Sequence, residues 1–135
     1  MIFPTIAELS VVTVLDRGIP NRECVAIQAN EPVDLGRVGI MLGVFGTNQM
    51  ALPIQDQLFW FGDGNIQAGD WIFVNTGDGE PRFGKTNDDK NNVYTVFWKK
   101  SKTLFANSNI VPILFRIDAV QVFLPQTDVP QIGHG

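Results

Sequence analysis

The chain has 135 residues, 44% of them hydrophobic, and sets 10 Lys+Arg against 14 Asp+Glu for a formal charge of −4 and a pI near 4.7. That length suits a single domain. An acidic chain without a Lys/Arg run lacks the clustered basic face that tracks a polyphosphate backbone, which argues against nucleic acid as a partner. One His, one Cys and one Tyr leave out most of the side chains that serve as general bases or thiol nucleophiles.

The N-terminal stretch from Met1 to Glu8 has no cationic lead and contains Pro4, so it does not resemble a signal peptide. No apolar run reaches the roughly 18 residues that a membrane span needs. The expectation is a cytoplasmic protein. Lone Cys24 leaves no intrachain disulfide, so the core must hold the domain together.

Short segments rich in Val, Ile, Phe and Trp alternate with Gly, Pro, Asn and Asp clusters about every ten residues, the rhythm of an all-β chain. Strands are predicted over residues 9–15, 23–28, 39–45, 57–61, 70–75, 93–98, 103–105 and 112–123. No window repeats apolar residues at helical spacing for three turns. Seven to nine short strands without crossover helices imply an antiparallel β-sandwich or barrel, read as one domain over residues 1–124. Residues 125–135, with two prolines and two glycines, are expected to form a flexible tail.

Several strands are apolar on both faces. Val93, Thr95 and Phe97 alternate with Tyr94, Val96 and Trp98; Trp71 and Phe73 with Ile72 and Val74; Phe59 and Phe61 with Trp60. Either a loop folds over the second face, or that face is an association surface centred on Trp60, Tyr94 and Trp98.

Residues 79–86 match the phosphate-loop pattern G-x-x-x-x-G-K-[ST] letter for letter. Such a loop works by opening a helix whose amides cradle phosphate. Here Thr86 is followed by Asn87-Asp88-Asp89-Lys90-Asn91-Asn92, a turn-like run, and Pro81 removes an amide, so the match is expected to be fortuitous. Asp63, Asp78, Asp88 and Asp89 lie in Gly- and Asn-rich turns and are weak candidates for Ca²⁺, which accepts irregular oxygen sets. The same residues also suit plain solvated turns. No catalytic constellation is visible: Asp88 and Asp89 are adjacent, His134 lies near the chain end, and Cys24 falls inside a strand where a thiol is usually inert.

From Asp34-Leu35-Gly36 and Gly39-Ile40-Met41-Leu42, through Ile66-Gln67-Ala68-Gly69-Asp70-Trp71-Ile72-Phe73-Val74 and Thr76-Gly77-Asp78-Gly79, to Val96-Phe97-Trp98 and Thr103-Leu104-Phe105-Ala106-Asn107-Ser108, the order of motifs resembles the lamin tail domain. The resemblance implies an immunoglobulin-like sandwich of a kind that serves protein association, sometimes binds DNA or membranes, or accompanies extracellular nucleases; the low basic content favours protein partners. The expectation is therefore a non-catalytic module for protein association or self-association, as in a homodimer, with no required cofactor. Its contact residues would be Trp60, Tyr94 and Trp98, with Arg82, Phe83 and Lys85 on the long loop. Two rivals remain. A cation-dependent binder of carbohydrate or another small ligand would use the Asp-rich loops, and a hydrolase would use a carboxylate site assembled from distant strands.

Overall fold

In the computed structural model, residues 5–46 and 50–125 are described, and they form an all-β sandwich of ten strands, more than the seven to nine expected. In chain order these are β1 (Leu9–Leu15), β2 (Cys24–Ala29), β3 (Val33–Asp34), β4 (Val38–Phe45), β5 (Ala51–Trp60), β6 (Asn65–Ile66), β7 (Trp71–Asn75), β8 (Arg82–Lys85), β9 (Asn92–Phe97) and β10 (Ile110–Arg116). A five-stranded sheet runs β1-β2-β7-β9-β8, a three-stranded sheet runs β10-β4-β5, and β3 pairs with β6 as a small ribbon. The pairing is antiparallel except between β7 and β9, which lie parallel with Ile72 opposite Tyr94 and Val74 opposite Val96.

The core fills the space between the two main sheets. Val25, Ile27, Ile72, Val74 and Val96 from the large sheet meet Val38, Ile40 and Leu42 of β4, with Leu35, Phe61 and Phe105 closing the ends. These residues recur at every second position along their strands, the period that sends side chains to one face. Burying each contributes roughly 1.5–3 kcal/mol, and β-branched Val and Ile suit both the pleat and the packing.

On the outer face of the small sheet, a Cβ on Gly39 would collide with the Phe115 ring and one on Gly43 with Ile113. These glycines in β4 let β10 side chains lie flat across the strand, an arrangement that restores the burial a glycine forgoes.

Three expectations are corrected here. Residues 103–105 form a loop, because the amides of Leu104 and Phe105 donate to a carboxylate instead of a neighbouring strand. The last strand stops at Arg116, opposite Val38 where β4 begins, so the chain beyond has no ladder to join. The long loop between β7 and β9 contains β8, which pairs antiparallel with β9. Of the expected tail 125–135, residues 126–135, His134 included, lie outside the described residues.

Candidate functional site

Parity along β9 decides which aromatic residues are available. Tyr94 and Val96 sit opposite the buried Ile72 and Val74, so they share the inner face, and Trp98 continues that side. Trp98 is only 9% exposed and packs on Phe59 with ring centroids 5.7 Å apart, while the Lys100 ammonium lies 5.6 Å from its ring centroid. Its backbone is fixed as well, since Trp98 N donates to Asn75 O at 2.8 Å. Trp60 stands on the other sheet, 47% exposed, with its indole N–H donating to Gly36 O at 2.8 Å. Trp60, Tyr94 and Trp98 therefore do not share one face. Trp98 is a core residue, and Tyr94 is half-buried.

The outer face of the large sheet instead carries Trp71, Phe73, Val93, Thr95 and Phe97, all half-buried. Trp71 and Phe73 meet edge to face at 5.9 Å. Such contacts place the positive edge of one ring against the negative face of the other. Beside them runs β8, the outermost strand, exposed at all four residues. Its register puts Arg82 beside Thr95, and the Arg82 guanidinium lies 5.6 Å from the centre of the Phe97 ring. Phe83 alternates to the opposite side and stacks on Tyr94 at 4.6 Å, yet remains 69% exposed. A Cβ placed on Gly84 would meet nothing within 4 Å. The result is an open groove of about 540 Å³ lined by Trp71, Phe73, Arg82, Phe83, Gly84, Lys85, Thr86, Asn87, Val93 and Thr95. Of the six contact residues expected, Arg82, Phe83 and Lys85 are brought together. Among the described residues neither Arg82 nor Lys85 has a carboxylate within ion-pair reach.

The turn beneath the groove is held by carboxylates. Asp70 is 4% exposed and accepts from Gln67 N and Asn92 N, each at 2.9 Å. Burial works against its ionisation more strongly than any other single influence. Together, the hydrogen bonds from Gln67, Asn91 and Asn92 outweigh it and hold the carboxyl below its ordinary value. Asp88 accepts from the Thr86 hydroxyl at 2.6 Å and the Lys90 amide at 3.1 Å, and these donors hold it below the usual carboxylate range.

Residues 79–86 enter an edge strand, and Thr86 leads into a tight turn with Asp89 at φ 59 before β9 begins. No helix follows, so the amide cradle of a phosphate loop is not built. Among the described residues, no three His, Cys, Asp or Glu side chains are grouped to hold a metal ion, so Asp63, Asp78, Asp88 and Asp89 do not converge. Cys24 is half-buried, and burial, followed by the nearby Asp16 carboxylate, pushes its thiol up to about 11. Such a thiol is a poor nucleophile near neutral pH.

Glu23 went unremarked in the sequence, yet its carboxylate is fully buried. Gly18 N and Phe105 N donate to Oε2 at 2.7 and 2.9 Å, and Leu104 N and the Thr76 hydroxyl donate to Oε1 at 2.7 and 3.1 Å. With four donors spent on it, the group binds two loops to the body and is structural. Trp71, Phe73 and Gly84 were likewise absent from the expected contact set; the two-sided apolar pattern of 71–74 was the signal that marked the two aromatic residues, and no local pattern marked Gly84.

Among the described residues no helix is long and apolar enough to cross a membrane. No family model, curated protein or solved structure matches the chain.

Proposed function

We propose that the chain is a non-catalytic interaction module, an immunoglobulin-like sandwich of lamin-tail type, that takes an extended segment of a partner protein along the free edge of β8. The observation that carries this reading is Gly84. A glycine inside an exposed edge strand, with open space above it, fits a place where another backbone approaches closely. Strand addition gives affinity through main-chain hydrogen bonds, and the adjoining pockets give specificity through alternate side chains. Trp71 and Phe73 suit an apolar anchor, and Arg82 and Lys85 suit acidic residues flanking it.

The test is selection of extended peptides from a random display library against the wild-type chain, with Gly84→Glu as the counter-target. The φ of Gly84 is not positive, so the substitution fits the backbone while filling the groove. Enrichment of peptides that combine acidic and apolar residues, binding at least tenfold more weakly to Gly84→Glu, supports the reading. Selected peptides that bind both chains equally, or the absence of any enrichment, overturns it.

A further inference from the structure

The backbone of β8 decides which of its groups a partner can use. Thr86 N donates to Asn91 O at 3.0 Å, whereas Asn92 N turns the other way, to Asp70 Oδ1 at 2.9 Å. Along an antiparallel ladder, residues that exchange hydrogen bonds with the neighbouring strand alternate with residues whose backbone groups face away from it. With Gly84 opposite Val93 and Lys85 opposite Asn92, that alternation points the N–H and C=O of Arg82 and Gly84 at β9 and leaves those of Phe83 and Lys85 on the free edge. Strand β8 ends the sheet, so among the described residues no strand takes them up.

A strand entering antiparallel would hydrogen-bond with Phe83 and Lys85 and set its intervening residue opposite Gly84, in the non-hydrogen-bonded pairing where side chains lie closest. A Cβ at Gly84 would meet nothing within 4 Å, and the row across the outer face continues from Gly84 through Val93 to Trp71. An aromatic ring opposite Gly84 has room to lie flat along that row. The chain uses the same arrangement internally: Phe115 stands opposite Gly39, and its ring fills the space that a Gly39 Cβ would need. On the other face, the Phe83 ring stacks on Tyr94 yet stays 69% exposed, and an aliphatic side chain directly opposite would cover it.

Arg82 and Lys85 stand exposed at the two ends of the strand. Charges on an edge strand deter indiscriminate pairing, and like charges directly opposite are destabilising. This edge therefore turns away basic strands and favours acids at the two facing positions. We propose, resting on the reading of β8 as a receiving edge, that the partner segment adds antiparallel and reads from its N-terminus acid, aromatic, aliphatic, acid. These four positions face Lys85, Gly84, Phe83 and Arg82 in turn. Order is what carries the recognition, because each position is tied by register to one residue of β8.

The test is fluorescence anisotropy with labelled peptides that differ only in a central segment between Thr-Ser flanks: Glu-Tyr-Val-Glu, the reordered Glu-Val-Tyr-Glu, and the charge-reversed Lys-Tyr-Val-Lys. A peptide from the library selection that binds wild type and fails on Gly84→Glu is the control for the edge itself. The expected result is that Glu-Tyr-Val-Glu binds the wild-type chain at least tenfold more tightly than Lys-Tyr-Val-Lys and several times more tightly than Glu-Val-Tyr-Glu. The double variant Arg82→Glu, Lys85→Glu should reverse the charge preference; both side chains are exposed, so its melting temperature stays close to wild type and shows that it is folded. Equal binding of the three peptides, or a double variant that keeps the wild-type preference, overturns the proposed order. Tighter binding of Glu-Val-Tyr-Glu, the order a parallel strand needs, overturns the antiparallel assignment. In each of these cases a control peptide still lost on Gly84→Glu leaves the receiving edge standing, whereas a selection that yields no such control overturns the edge and this proposal together.

Discussion

Replacing Glu23 by Ala removes the acceptor for three backbone amides and one hydroxyl and leaves those donors in a space that no solvent reaches from Glu23. A hydrogen bond to a charged group contributes about 1.5–3 kcal/mol net, and an orphaned buried donor costs about 1–3 kcal/mol. The four bonds share one carboxylate and do not add in full, so the expected loss is about 4 kcal/mol. Glu23→Gln keeps one acceptor but turns an NH₂ toward amides that need one, and should lose about half as much. For a chain of this length, total stability is on the order of 10 kcal/mol, and each kcal/mol moves the melting temperature by about 3–4 °C. The Ala variant should therefore melt about 12 °C or more below wild type in a circular dichroism scan. Urea unfolding supplies the free energy directly. An Ala variant within about 1 kcal/mol of wild type would refute the assignment of Glu23 as the tie between the 16–23 loop and the 99–106 loop.

Other consequences follow from the same geometry. Asp70 is held ionised below its ordinary value, so the unfolded chain takes up this proton first as pH falls; its contribution is present above about pH 4 and is lost on acidification through the folded-state pKa. Asp70→Asn should be less stable at neutral pH and show a shallower acid limb in a plot of melting temperature against pH, whereas an unchanged limb would remove Asp70 from the acid response. The Cys24 thiol, raised to about 11, should alkylate with iodoacetamide at pH 8 at least tenfold more slowly in the folded chain than in urea. Equal rates would show the thiol to be open. Trp98→Ala should lose about 3–5 kcal/mol of stability through the cavity it leaves, as urea unfolding would measure, and a loss under 1 kcal/mol would return Trp98 to the surface.

Much of the strand map was legible because local pattern decides it. The segment 9–15 coincides with β1, and 70–75 and 93–98 lie within a residue of β7 and β9. The features that escaped depend on partners far along the chain. Residues 103–105 are apolar enough for a strand, yet Glu23, some 80 residues away, takes their amides. Strand β8 was hidden because Arg82, Gly84 and Lys85 carry no alternating pattern, and only the neighbouring β9 makes the segment a strand. Two apolar faces on 93–98 were visible, but nothing local states which one turns inward. The pairing of Ile72 with Tyr94 settles that, burying Trp98 and leaving Trp71, Phe73 and Phe97 on the outer face. The acidic turns announced themselves as oxygen clusters, but among the described residues their side chains do not converge, and the Asp88 carboxylate is spent on the Thr86 hydroxyl and the Lys90 amide.

The central claim is that the edge of β8 and the groove beside it receive a partner's extended segment. The most direct measurement is an amide chemical-shift titration of the isotope-labelled chain with a peptide taken from the library selection. The account predicts the largest shifts at Arg82 to Lys85, Val93 and Thr95, together with the Trp71 indole N–H, and their loss in Gly84→Glu. Saturating peptide that leaves these signals in place while moving those of β4, β5 or the Asp63 and Asp78 turns would contradict it.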